Sequence, residues 1–470
     1  MTMEYADKKI TDLKVAYIGG GSRGWAWSLM ADLALEPALS GTMVLYDIDM
    51  EAARKNEVIG NRFSKTEGVS GKWNYTTAPS LKDALTGADF VIISILPGTF
   101  DEMEIDVHAP EKYNIWQSVG DTAGPGGLSR ALRTVPMYVE IAEAIKAYSP
   151  EAWVINYTNP MSVCVGTLYK VFPQIKAFGC CHEVFGTQRL LKEICEMDLG
   201  LKDVDRSEIM INVMGINHFT WFNEASYQGI DLFPVYRSFV ESHWESGYVR
   251  DVQNWMNSSF SCNNRVKFDL FLKYGWIAAA GDRHLAEFMP GDTYLDNPET
   301  VEKWGFRLTT VKWRRENLVE RLEKSRRLSE GEESVSLKPS GEEGVLLMKA
   351  LCGLERRVSN VNIPNTSGQI SNLPRTAVVE TNALFYRDHI KPVMAGEVKE
   401  DIKALLMPHI ENHEDIIAAA AECNFERALK AFKNDPQVKA KCTDSQAEEL
   451  LRYMIQSNLK YLPEGWRHVG

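Results

Sequence analysis

The sequence predicts an α/β fold, with a doubly wound parallel sheet over residues 1–200 and an α+β domain over residues 201–470. Three observations predict it. From Lys14 to about Leu199, short apolar runs alternate with helical stretches, the pattern of parallel strands joined by helical crossovers. The first apolar run opens into a glycine-rich turn with a helix behind it. Beyond Gly200 the rhythm changes to alternating strands and long amphipathic helices.

The strands are VAYIGG from Val15, MVLYD from Met43, FVIISIL from Phe90, WVIN from Trp153 and IKAFGC from Ile175. Each is apolar without alternation, as burial on both faces requires. Helices are expected over 25–36, from Met50, in a long stretch ending near Tyr148, from Pro160, and up to about Met197. This half is therefore Rossmann-like. In the second half, 209–216 and 218–227 alternate as half-buried strands, and 378–385 reads as a returning strand. Helical periodicity covers 301–327, 344–351 and 398–461. The polar stretch 324–343 has almost no apolar periodicity and is expected to be an exposed loop or mobile segment.

Composition narrows the function. The chain has 470 residues with 52 Lys+Arg against 64 Asp+Glu, a net charge of −12, which argues against a nucleic-acid partner. No apolar run is long enough to cross a bilayer, and the polar N-terminus has no secretory apolar region, so no membrane partner and a cytoplasmic location are expected. Eight cysteines without a CxxC pair read as free thiols of a reducing compartment.

The turn Gly19-Gly20-Gly21-Ser22-Arg23-Gly24 satisfies G-x-G-x-x-G directly after a strand and before a helix. Glycines there let the backbone approach a pyrophosphate at the helix N-terminus. The next strand ends in Asp47, placed to accept the ribose hydroxyls of NAD. Asn156 closes a later strand and joins the expected cofactor set of Gly19, Gly20, Gly21, Ser22, Gly24 and Asp47.

A dinucleotide fold alone leaves four segments unexplained: Gly120–Leu128 with Arg130 and Arg133, Asn156–Pro160, Cys180–Val184, and Gly215–His218. Open α/β sheets bind ligands beyond the carboxyl ends of their strands, so these segments are expected to converge on one crevice. Cys181 and His218 form a candidate metal pair, since thiolate and imidazole suit a borderline first-row divalent ion and two ligands leave positions open for substrate. Taken singly, a cysteine ending a strand is equally an inert buried thiol, and a lone histidine a core histidine.

The ordered runs GGGS, GDTAGPGGLSRALRTVP, TNPMSV, CHEV, GINH and SGQISNLP, from Gly19 to Pro374, resemble the signatures of glycoside hydrolase family 4, the NAD- and metal-dependent glycosidases. Within that family, Cys181-His182-Glu183-Val184 resembles the subgroup acting on α-linked hexuronic acids, galacturonides or glucuronides. An α-glucosidase or α-galactosidase of the same family and an ordinary NAD-dependent dehydrogenase are the alternatives. The resemblance implies oxidation of the sugar 3-carbon by NAD, removal of the 2-hydrogen, elimination of the aglycone, addition of water, and return of the hydride, with a divalent metal, manganese being the expected ion. It further implies Cys181 and His218 as metal ligands, His182 as proton donor, Asn159, Glu183 and Asn365 on the substrate, and a small-molecule α-uronide as partner of a homodimer or homotetramer. Asp282 is expected as the base with His284 second, and Arg283, or else Arg375, as the cation for the uronate carboxylate. Gly368 and Asn372 belong to the same substrate-side run as Asn365.

Overall fold

The apolar runs become the centre of one ten-stranded sheet in the computed structural model, which describes residues 4–6, 8–249 and 262–469. Its strands are β1 (Glu4–Ala6), β2 (Lys9–Ile18), β3 (Leu39–Tyr46), β4 (Lys72–Thr77), β5 (Phe90–Ile93), β6 (Trp153–Asn156) and β7 (Lys176–Gly179) from the first half. A second sheet holds β8 (Met210–Ile216), β9 (Phe219–Tyr227), β10 (Ile230–Asp231) and β11 (Ile277–Ala278), and β12 (Arg357–Pro364), β13 (Val378–Tyr386) and β14 (His389–Pro392) return to the first. The parallel strands run β4-β3-β2-β5-β6-β7. This is the doubly wound dinucleotide-binding order, whose ligand crevice lies where the order reverses, between β2 and β5.

The boundary expected at residue 200 divides the sequence and not the main sheet. β12 pairs with β7 through Asn362 and Gly179, and β13 and β14 follow antiparallel, so the second half completes the first half's sheet. The expected strand at 378–385 is β13, whereas β12 and β4 were not foreseen. β4 alternates, with Trp73 and Tyr75 buried and their neighbours facing out, because it lies at the sheet edge.

The crossover helices Trp25–Leu35, Met50–Phe63, Gly124–Tyr148, Met161–Val171 and Glu183–Asp198 fall where the periodicity places them. The helix expected over 301–327 is instead two, Pro298–Trp304 and Val311–Glu330. The first ends at Gly305 with φ 73, a left-handed C-cap that glycine adopts without strain. Of the stretch 324–343, residues 331–343 form the largely exposed loop expected, and the part before them does not. Those first residues finish the Val311–Glu330 helix, and the loop is pinned: Ser340 N–H donates to Asp32 at 2.8 Å and Glu343 pairs with Arg206 at 2.7 Å. Its polar residues have partners on other elements, a pairing that periodicity does not record.

The C-terminal helices Glu400–Glu422, Phe425–Asn434 and Asp444–Asn458 bury an apolar face against Gly124–Tyr148. Beneath them Arg133 and Asp106 form a fully buried two-point ion pair, and Arg133 Nε also donates to the Pro97 carbonyl at 2.8 Å. Among the described residues no helix is long and apolar enough to cross a membrane.

Candidate active site

The glycine turn follows β2. Gly19 has φ 90, and a Cβ there would lie 2.0 Å from the Ser94 carbonyl oxygen of the neighbouring β5 segment, so only glycine fits. Gly21 N–H donates to Asp47 Oδ2 at 2.8 Å, and a Cβ at Gly21 would meet Ala52 Cβ at 2.7 Å. Gly21 therefore serves the packing of the Met50–Phe63 helix as well as the turn. Asn56, missed in the sequence, ties the turn down by donating to the Gly20 and Ser22 carbonyls at 2.8 and 2.9 Å. Gly24 precedes the Trp25–Leu35 helix. The donors, the helix N-terminus and Asp47 fit a dinucleotide. Asn156 has a different place: its carboxamide bonds Thr158 N–H and C=O and accepts from Tyr138, so it holds the Thr158–Pro160 bend, and its side chain is committed there.

Beyond the ends of β7 and β8 the predicted residues do meet. Cys181 is buried, and the Asn217 side chain lies within hydrogen-bonding reach of its thiol. Burial and the Glu380 and Glu183 carboxylates push that thiol well up. His218 sits in the two-residue turn between β8 and β9 with φ 65, its Nδ1 3.2 Å from Thr122 Oγ1 and its ring 3.8 Å from that of His284. Burial and the neighbouring His284 push His218 down to about 3, so its imidazole is neutral, the form that binds metals. Glu183 Oε2 accepts Gly281 N–H at 2.8 Å, while Oε1 stands 3.7 Å from His182 Nε2 and 3.8 Å from His284 Nε2.

His182 Nδ1 also lies 3.2 Å from Glu342 Oε1, on the pinned segment from the second half. Burial disfavours its charge, but Glu342 and Glu183 outweigh that and raise it to about 9. Its ring and that of Tyr157 flank Trp25, each with a centroid separation of 5.9 Å. Asn159 Oδ1 is buried without a hydrogen-bond partner, as is His284 Nδ1. Asp121, in the Gly120–Leu128 segment expected at the crevice, is held down to about 2 against its burial by Arg130 and by the other charged groups around it.

The donor set fits a divalent ion: thiol, imidazole with Nε2 left over after the Thr122 contact, and an unpartnered amide oxygen nearby. Among the described residues no group of three His, Cys, Asp or Glu side chains is arranged to hold an ion, so Cys181 and His218 would leave most positions to substrate and water.

Five predicted residues have other places. Asp282 is fully buried, and its carboxylate accepts the Val266 and Lys267 N–H groups at 3.3 and 3.1 Å at the start of the Arg265–Tyr274 helix; each oxygen is engaged in capping that helix. Arg283 donates to the Ser118 and Arg307 carbonyls and to Thr309. Asn365 spends its carboxamide on Ile370 N–H and on the Ile370, Leu373 and Pro374 carbonyls. Arg375 lies over Gly368 and donates to Thr366 C=O, and Asn372 clamps Val398 through both its N–H and C=O. These residues brace loops. Short polar motifs look the same whether their side chains face ligand or backbone.

Residues 14–197 match the model of the family 4 glycosyl hydrolases, and residues 213–438 match the model of that family's C-terminal domain. An alpha-galacturonidase of Lachnoclostridium phytofermentans is 62% identical over 464 residues, covering 99% of this chain and 100% of that one. The crystal structure of the Bacillus subtilis protein lplD is 51% identical and superposes with a TM-score of 0.90 over 94% of this chain and 100% of that one. The 6-phospho-beta glucosidase of Thermotoga maritima, crystallised with manganese, NAD+ and glucose-6-phosphate, shares the fold at 20% identity and a TM-score of 0.74, covering 95% of this chain and 99% of that one.

Proposed function

The chain belongs to family 4 of the glycosyl hydrolases, and from that premise we propose that it cleaves α-linked galacturonides by transient oxidation of the sugar. The observation that carries this reading is the cluster of Cys181, His182, Glu183, His218 and His284 beyond the strand ends, Cys181 and His218 buried and the other three partly buried, in the same fold as the glycine turn. NAD bound at that turn would take a hydride from the sugar 3-carbon and later return it, and a divalent ion such as manganese, held by Cys181 and His218, would polarise the 2- and 3-oxygens.

The chain's own side chains account for positioning and proton transfer. Glu183, fixed by Gly281 N–H, spaces His182 and His284. His182, kept charged by Glu342 and Glu183, carries a proton for the departing glycosidic oxygen. His284 Nδ1, buried and unpartnered, is the atom offered to the 2-hydrogen, in place of Asp282. Asn159 Oδ1 is available to accept a sugar hydroxyl. Trp25 and Tyr157 form an aromatic wall on the side next to His182.

Turnover of a nitrophenyl α-galacturonide in heavy water tests the reading. Loss of the 2-hydrogen and its replacement from solvent place deuterium at the 2-carbon of the released sugar. Two-carboxylate hydrolysis never breaks that bond, so released galacturonate without deuterium there overturns the proposal.

A further inference from the structure

With Arg283 engaged by backbone carbonyls, two other arginines stand in the site. Arg130, on the Gly124–Tyr148 helix, is 5% exposed, and its Nε donates to the Asn159 carbonyl at 3.1 Å. Arg314 is on the first turn of Val311–Glu330. That helix begins against the site: Thr309 N–H donates to Ser118 C=O at 3.0 Å, just before Gly120 and Asp121. Arg314 is half-buried, and its Nε is buried with no hydrogen-bond partner. A half-buried guanidinium with an unpartnered nitrogen has donors left to offer an anion.

The charge count points the same way. Asp121 is the acidic neighbour common to Arg130 and Arg314. It also accepts from Thr122 Oγ1, which in turn contacts His218. Glu287, the other acidic neighbour of Arg314, is buried on the Val119 and Gly120 N–H groups and pushed up to about 7. Arg133 is closed off in its pair with Asp106. With Asp106 held by Arg133 and Glu287 held by backbone N–H groups, the two guanidiniums have Asp121 as their shared acidic neighbour, and a further anion would meet both. The nucleotide phosphates are a poorer match. Seven residues along the same helix, Arg321 Nη1 reaches the Arg23 carbonyl beside Gly24, and two helical turns, about 10 Å, separate it from Arg314.

We propose that Arg314, assisted by Arg130, grips the 6-carboxylate of the uronide and so selects the charged sugar over its neutral counterpart. This rests on the α-galacturonide reading above. A guanidinium can take both carboxylate oxygens at once, and the carboxylate completes the charge pairing begun by Asp121.

The test compares nitrophenyl α-galacturonide with its 6-methyl ester, which has the same ring and no charge, in the wild-type chain, Arg314→Met and Arg314→Lys, and measures NAD affinity alongside. In Arg314→Met the ratio of kcat/KM for acid over ester falls by about 100-fold, binding of free galacturonate in a calorimeter is lost, and NAD affinity stays within twofold. Arg314→Lys, which keeps a charge without the fork and covers a failure of the methionine variant to fold, lowers the ratio by about tenfold. An unchanged ratio, an equal loss on both substrates, or a loss of NAD affinity that accounts for the effect overturns the proposal. A wild-type chain that cleaves neutral α-galactosides and not the uronide overturns the parent reading instead, whatever the variants do.

Discussion

Glu380 on β13 accepts hydrogen bonds from Asn217 at 3.3 Å and Asn360 at 2.6 Å. Asn217 precedes His218 and lies against the Cys181 thiol, and Asn360 also reaches the Cys181 carbonyl at 3.4 Å. One buried carboxylate from a returning strand thereby sets the spacing of the two candidate metal ligands. Outer partners of this kind commonly tune metal affinity by 10- to 100-fold. Glu380→Ala should weaken manganese binding by about that factor and leave NAD binding unaltered, as read by calorimetric titration with each in turn. Unchanged manganese affinity would rule the role out.

Cys181→Ser replaces a soft thiolate by a hydroxyl that stays protonated. Activity should fall below detection in manganese-supplemented buffer, while NAD still binds at the glycine turn, which contains neither metal ligand. Retained turnover in that buffer would exclude Cys181 as a ligand.

The two base candidates can be separated. Asp282→Asn puts an amide N–H against one of the two backbone donors it now accepts, and should cost about 1–2 kcal/mol in a urea titration without changing deuterium incorporation per folded molecule. His284→Ala should slow incorporation at the 2-carbon by about 100-fold or more. The reverse pattern would restore Asp282 as the base.

Arg133 and Asp106 are both inaccessible to solvent. Asp106→Asn leaves a guanidinium buried without its counter-charge, a loss of about 3–5 kcal/mol by chemical denaturation. A loss below about 1 kcal/mol would place the pair in the range of exposed ion pairs.

Asp435 caps the helix Pro436–Lys441, accepting from Gln437 and Val438 at 3.0 and 3.3 Å, and burial pushes its carboxyl up to about 7. Between 3.8, its ordinary value, and about 7, the folded chain then holds a proton that the unfolded chain has released. Stability from this group therefore falls as pH rises through that window. Asparagine caps without titrating, so the wild type should gain on Asp435→Asn at pH 5 relative to pH 8, measured as the difference in urea midpoints. A pH-independent difference would contradict the shift.

The parallel strands and their crossovers were legible because continuous apolar runs and helical spacing are local. The convergence of Cys181, His182, Glu183, His218 and His284 was legible through the strand-end rule and the resemblance. Asn56, Glu342 and Glu380 were not, because each acts across a long sequence separation and an isolated Asn or acid has no periodic signature. Glu342 lies in a stretch whose polarity reads as loop, yet its partner His182 is on the far side of the chain. Asp282, Arg283 and Asn365 show the converse: the residue type suits the chemistry, but backbone N–H and C=O groups claim the side chain first.

The seam between β7 and β12 also has a meaning in time. When residues 1–200 have left the ribosome, every parallel strand of the main sheet exists, yet the outer edge of β7 stays bare until residues 357–364 are made. An open edge is an adhesive surface for other chains. The same delay withholds Glu342 and Glu380, so the nascent chain carries a sticky border together with an unfinished catalytic pocket. A single late event in synthesis, arrival of the returning strands, removes the hazard and completes the site.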